Sequence, residues 1–193
     1  MKKTIFAAVL ALTAVAATAQ TTAFATYDYD RANKGQGWKS QHEAAVGVQL
    51  PTSIGTFEAA VLGRQLVTRV RDDNAGFELG YTNGIKLGAV NVDGRITYGR
   101  LNQVDLRNHA FKGNSSFVSY GVEASTALTP TVGAFAGFRL RDGINGDTPE
   151  QQRYTVGLDV RVSKELAVRA GVAHSREAGV VYNGLTTAVS YSF

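Results

Sequence analysis

The sequence predicts an all-β fold, a transmembrane antiparallel up-and-down β-barrel of ten strands, with eight strands as the alternative count. Three observations carry this. Apolar and polar residues alternate with a period of two in run after run from Thr22 to Phe193. The runs are about nine to eleven residues long, the length that crosses a bilayer at the usual strand tilt. Their connections alternate between tight and long, as in a barrel that threads up and down through a membrane. A period of two sends successive side chains to opposite faces, so each run has one apolar face and one polar face.

The first residues are a separate object. "MKKTIFAAVLALTAVAATAQ" carries Lys2 and Lys3, an apolar stretch from Ile5 to Ala17, and the small residues Ala17-Thr18-Ala19 before Gln20. A basic head, an apolar core too short to span and a small-x-small site read as a secretory signal peptide over 1–19, leaving 20–193 as a single barrel domain. A buried helix in its place would need a polar face, and this segment has none. Beyond it no apolar run approaches the roughly 20 residues of a membrane helix. Of 20 basic residues two leave with the leader, so 18 face 16 acidic ones, and this near balance does not point to nucleic acid. With no cysteine in the chain, no disulfide framework holds an exported fold.

Ten runs are expected: 22–30, 42–50, 56–70, 76–87 and 91–100, then 117–128, 132–141, 153–162, 166–175 and 180–193. In "RYTVGLDVRV" Tyr154, Val156, Leu158, Val160 and Val162 oppose Thr155, Gly157, Asp159 and Arg161. "PTSIG", "GAV", "TPT" and "SKE" are the tight connections; "RANKGQGWKSQ", "LNQVDLRNHAFKGNSS" and "DGINGDTPEQQ" are long and polar. Two hairpin signals, Asn83-Gly84 and Asp93-Gly94, lie close together. Using both would leave pieces too short to span, so one turn is placed at 88–90.

Charges assign the faces. The face opposite the apolar one carries Asp28, Asp30, Glu43, Glu58, Glu78, Asp93, Glu123 and Asp159, with Arg64, Lys86, Arg95, Arg139, Arg141, Arg153, Arg161 and Arg169. These are expected to line the lumen as a charge network, together with the inward apolar residues Phe24, Leu62, Leu66 and Phe135. Outward aromatics fall at strand ends: Tyr29, Phe77, Tyr98, Tyr120, Phe138 and Tyr154 toward the long connections, Phe57, Tyr191 and Phe193 toward the tight ones. Such sorting is expected of the aromatic girdles of a lipid-exposed barrel, whereas rings filling a core need not sort by strand end. On these faces, Val156→Arg is expected to cost about 2–4 kcal/mol on the lipid side, and Gly157→Ala in the lumen less.

The terminal hairpin "LAVRAGVAHSREAGVVYNGLTTAVSYSF", its closing Tyr191-Ser192-Phe193 and the "MKKT" leader resemble those of small, porin-like outer-membrane β-barrel proteins of Gram-negative bacteria. The resemblance implies a place in the outer membrane, with lipid and lipopolysaccharide around the barrel and both chain ends periplasmic. It also implies that Val189, Tyr191 and Phe193 are an assembly signal read by the barrel assembly machinery. It implies little about activity.

The function expected is therefore a structural or surface-interaction role with at most a narrow passive pore. A porin-like channel for small ions and solutes is the alternative, and a lipid A-modifying hydrolase a more distant one. Paired charges would plug the lumen, whereas unpaired ones would line a path. The hydrolase reading rests on His174, Ser175 and Glu177, but adjacent strand residues point to opposite faces, so no enzyme is expected. Basic residues of the loops could pair with lipopolysaccharide phosphates: Arg31, Lys34, Trp38 and Lys39 in the first, Arg107, His109 and Lys112 within 101–116. No metal cluster or nucleotide fingerprint is present, and neither metal nor cofactor is expected.

Overall fold

The computed structural model of the protein describes residues 21–33, 40–67, 71–105, 110–145 and 150–193. The expected signal peptide lies outside the described residues, as do Lys34, Trp38, Lys39, Arg107, His109 and the side chain of Lys112. Ten strands form: β1 (Thr22–Ala32), β2 (Ser40–Thr52), β3 (Gly55–Val67), β4 (Arg71–Leu87), β5 (Val90–Asp105), β6 (Ala110–Ala127), β7 (Val132–Asn145), β8 (Gln151–Arg161), β9 (Leu166–Glu177) and β10 (Val180–Ser192). Each pairs antiparallel with its neighbours in sequence, and β1 pairs with β10 to close the barrel. The count is ten, and the eight-strand alternative falls away.

The seam runs from Thr22 opposite Ser192 to Ala32 opposite Tyr182. The Thr22 and Ser192 hydroxyls lie 2.9 Å apart, and the Phe193 amide donates to the Thr21 carbonyl at 3.0 Å. Closure leaves no strand edge, so the backbone needs no water along its membrane-facing length.

Every expected run is a strand, but several extend further on the long-connection side. β5 continues to Asp105 and β6 starts at Ala110, so most of 101–116, expected as a binding loop, is paired strand, with β4 alongside 101–104 as well. Its polar composition marks contact with water rather than an end to pairing, because the ladder bonds form whatever side chains project from it. The two hairpin signals meet inside the β4–β5 ladder, Asn83 opposite Gly94 and Gly84 opposite Asp93. The reversal falls beyond Leu87, where Gly88 takes the left-handed φ of +63° that glycine adopts without strain. Register with β3 and β6 overrides the local preference at Asn83.

Register also gives the tilt. Following paired residues from Tyr154 one way leads through Phe138, Val122 and Gly94 to Asn83; the other way leads through His174, Asn183, Arg31, Ser40 and Val67 to Arg71. Both ends lie on β4, and 83 − 71 = 12 residues is the shear. Ten strands with that shear tilt by about 40° and enclose a backbone cylinder of about 10 Å radius.

At constant height the residue number therefore drifts by about one per strand, which brings Tyr27, Phe77, Tyr98, Tyr120, Phe138 and Tyr154 to one level. Tyr29 stands two residues higher than Tyr27 on β1. Phe57, Tyr81, Tyr191 and Phe193 lie nearer the tight turns, with ring centroids 5.2 Å apart for Phe57 and Tyr81 and 5.0 Å for Tyr191 and Phe193. From the upper level to the turns the outward residues are mostly apolar over about 20–25 Å. Val156 is 54% exposed, and Leu79, Val122, Val172 and Leu185 are comparably bare. A soluble barrel puts its apolar residues inside; this one puts them outside, as a membrane barrel does.

The lumen side of the wall is tighter than expected at one glycine. A Cβ on Gly157 would fall 2.2 Å from the Ala170 carbonyl oxygen and 2.8 Å from the Phe135 ring, whereas one on the outward Gly63 would meet nothing within 4 Å. In urea titrations of the protein in lipid vesicles, Val156→Arg should cost about 2–4 kcal/mol. Gly157→Ala should cost about 1–3 kcal/mol through overpacking, and Gly63→Ala less than about 0.5. Equal losses at 63 and 157 would contradict the assignment of faces.

Candidate functional site: the charged lumen

Eight strands enclose a space that ordinary side chains fill; ten enclose more, and short aliphatic residues cannot reach across it. Long side chains do so here, and they begin from an unusual foundation. Three inward phenylalanines sit directly opposite a glycine of the next strand: Phe24 opposite Gly47, Phe117 opposite Gly99, and Phe135 opposite Gly157. A Cβ at Gly99 would lie 2.2 Å from the Phe117 ring, so the missing side chain is what lets the ring lie against the wall. Two of these rings carry an arginine: the Arg141 guanidinium stands 4.4 Å from the Phe117 centroid, and that of Arg169 stands 4.0 Å from Phe135. A cation over an aromatic face is attracted to it, and the planar guanidinium keeps its edge donors free for carboxylates.

Each stacked arginine uses those donors on two acids. Arg141 on β7 donates to both Glu43 oxygens on β2 at 3.1 Å and to Glu78 on β4 at 3.2 Å. Arg169 on β9 donates to both Glu123 oxygens on β6 at 2.8 Å, and to Asp159 on β8 at 2.7 and 3.2 Å. The remaining pairs extend the Arg141 layer. Arg64 on β3 donates to both oxygens of Glu177 on β9 at 2.5 Å. Arg153 on β8 donates to Asp30 at 2.5 Å and lies 3.2 Å from Asp28, both on β1. Gln151 links the groups, donating to Glu177 at 2.8 Å and accepting from Arg139 at 3.2 Å. Arg95 bonds Glu58, which also accepts from Gln49 at 3.1 Å.

These bonds join opposite walls. Arg141, Arg153 and Glu177 stand on β7, β8 and β9; Asp28, Asp30, Glu43, Arg64 and Glu78 stand on β1 to β4. Phe117 is 0% exposed and Arg141 1%, so the centre of this layer is buried despite its charge. Toward the tight turns lies a cavity of about 480 Å³, reaching from Arg139 and Arg153 to Gln49 and Ser190. Hydroxyls of Thr26, Thr82, Thr97 and Thr155 line it.

Of the sixteen residues expected as the lumen network, Asp28, Asp30, Glu43, Glu58, Arg64, Glu78, Arg95, Glu123, Arg139, Arg141, Arg153, Asp159 and Arg169 take part in ion pairs. Asp93 lines the cavity and makes no ion pair with a described residue. Lys86 and Arg161 are corrections: both are exposed at the tight-turn end, where the lumen meets solvent and a charge needs no partner. Glu177, not among the residues expected in the network, is buried in the lumen on Arg64. His174 faces outward, hydrogen-bonded to Asn183 at 2.8 Å, while Ser175 faces inward and is buried, so the two do not meet. Gln151 and Phe117 went unread; Gly99 two residues before Leu101 was the available signal for the ring, but only register shows that it faces Phe117.

Fold and lumen together define the class: a membrane β-barrel with the fold of the outer-membrane β-barrels. No family model matches the chain, and no curated protein matches it in sequence. Among solved structures it is similar to the translocator domain of the autotransporter NalP from Neisseria meningitidis, at 13% identity and a TM-score of 0.55, over 100% of this chain and 96% of that one. It is also similar to the transport unit of the autotransporter AIDA-I from Escherichia coli, at 10% identity and a TM-score of 0.50, over 90% of each chain.

Removing one member of the buried layer strands its partners. Arg141→Met should lower stability by about 3–5 kcal/mol, because Glu43 and Glu78 are then left charged and dry. Adding Glu43→Gln and Glu78→Gln should restore part of the loss. Lys164→Ala, in an exposed turn, should change stability by less than about 0.5 kcal/mol. Vesicle unfolding titrations check all three.

Proposed function

We propose that this is a small integral protein of the bacterial outer membrane, with both chain ends periplasmic. Its lumen is stopped by its own side chains, and its role is structural or exercised through its outer surface and loops. The observation that carries this reading is the Arg141 layer, in which guanidinium groups and carboxylates from opposite walls meet over a fully buried Phe117. Arginines that lined a water path would keep water at their donors; here each described arginine of the layer has a carboxylate or amide partner.

The small-ion channel is the second reading, favoured by the cavity of about 480 Å³, which leaves a single layer of ion pairs as the barrier. The hydrolase reading keeps no nucleophile and base pair, since His174 and Ser175 face opposite sides of the wall. Planar-bilayer recordings separate the first two. Purified protein should give no openings above background, while Glu43→Gln combined with Glu78→Gln should give small, frequent ones. Stable unit conductance from the unmodified protein would establish the channel instead.

The ending extends the proposal to biogenesis. Val189, Tyr191 and Phe193 share the outward face of β10, and all three are half-exposed. This row suits an assembly signal read before the seam closes. Phe193→Ala should lower the amount reaching the outer-membrane fraction severalfold, with little change in the unfolding midpoint of what does arrive. Unchanged yield would remove the signal from this residue.

A further inference from the structure

We propose that the outer face of β9, β10, β1 and β2, just above the aromatic level, binds the phosphates of an anionic glycolipid headgroup. The inference rests on the outer-membrane reading above, with the long connections outside the cell.

The residues follow from register. Arg31 on β1 lies opposite Asn183 on β10, which lies opposite His174 on β9; Val181 lies opposite Arg176, and Tyr29 opposite His42 on β2. By the drift that sets the aromatic level, these outward residues stand within about four positions above it, or about 10 Å. That is the depth at which an apolar band gives way to headgroups. Three strand spacings make the sector about 14 Å wide, enough for a headgroup bearing more than one phosphate.

Charge is segregated at this height. Arg31, His42 and the pair His174 and Arg176 stand on β1, β2 and β9, β10 contributes Asn183, and no carboxylate of the described residues faces outward on any of the four strands. Asp28, Asp30, Glu43 and Glu177 on the same strands all face the lumen. Outward carboxylates at the level sit elsewhere, Asp73 on β4 and Asp142 on β7. Arg100, on β5, is an outward cation outside the sector.

The imidazoles are held in place. His174 Nδ1 lies 2.8 Å from the Asn183 side-chain oxygen, which can only accept, so Nδ1 carries a proton and donates. Asn183 is fixed in turn by donating to the Asn33 side chain at 2.5 Å. His42 Nδ1 is 2.8 Å from the Tyr27 hydroxyl, and its ring lies 5.0 Å from that of Tyr29. Both rings thus use Nδ1 within the wall and keep Nε2 for an outside partner. The guanidinium groups of Arg31 and Arg176 donate well to phosphate oxygens, and charge-assisted bonds of that kind are strong; the imidazole Nε2 atoms beside them add a donor only when protonated and otherwise accept from a headgroup hydroxyl. Arg31, expected in the first long connection, thus stands on β1 as part of a lipid-facing surface.

The test is native mass spectrometry of the full protein in detergent micelles, titrated with diphosphorylated lipid A and with its dephosphorylated form. The unmodified protein should retain the phosphorylated lipid preferentially. The combined variant Arg31→Gln, His174→Gln and Arg176→Gln should weaken that retention by about tenfold or more, while Arg100→Gln leaves it unchanged. Heat-modifiable mobility in detergent gels checks that each variant is a folded barrel; should the triple variant fail it, Arg176→Gln alone carries the comparison. Equal retention of the two lipids, or wild-type retention by a folded variant, overturns the proposal. Complete displacement by inorganic phosphate overturns the lipid as its source. Cell fractionation keeps the two readings apart: a protein outside the outer-membrane fraction overturns both, whereas one inside it that ignores lipid phosphate overturns only this sector.

Discussion

The structure depends on one requirement: in a bilayer every backbone amide and carbonyl must find its partner within the protein. A sheet meets it only by closing on itself, and the β1–β10 seam does so with the last residues of the chain. Closure then dictates the rest. It sets a tilt through the shear, assigns alternate residues to lipid and lumen, and encloses a space whose width follows from the strand number.

Ten strands make that space too wide for an aliphatic core, and the answer here is electrostatic. Glycine opposite phenylalanine lays a ring on the wall, an arginine stands on the ring, and two carboxylates from other strands hold the arginine. A dry ion pair stabilises little by itself, since desolvation offsets most of its attraction. Its value lies in position: the bonds from Arg64, Arg141 and Arg153 run between opposite walls and are satisfied only in the closed cylinder with the native register. The same layer is thus also a check on closure.

The outer surface obeys the other half of the same alternation. Its apolar height matches a bilayer core, its rings collect at levels that follow from the tilt, and polar side chains resume above them. The grouping of Arg31, His42, His174 and Arg176 is a matter of which strands become neighbours, so β9 and β2, more than 110 residues apart in sequence, contribute to one surface.

What the sequence determined by itself is what a period of two can express: ten spans, the lipid and lumen faces, and the inward sign of residues such as Glu43, Arg139 and Asp159. These are local properties of an extended chain, independent of which strand lies beside which. The turn at Gly88 rather than Asn83 was legible as well, because only that choice leaves strands long enough to span. Tertiary structure alone decided the partners. Nothing near Glu177 in sequence points to Arg64, and nothing near Arg141 points to Glu43 and Glu78, because those bonds cross a lumen whose diameter exists only after closure. The crowding at Gly157 has the same origin, since the ring that fills its place comes from the neighbouring strand. Lys86 and Arg161 show the converse: their faces were readable, but their nearness to solvent depended on where the closed cylinder ends.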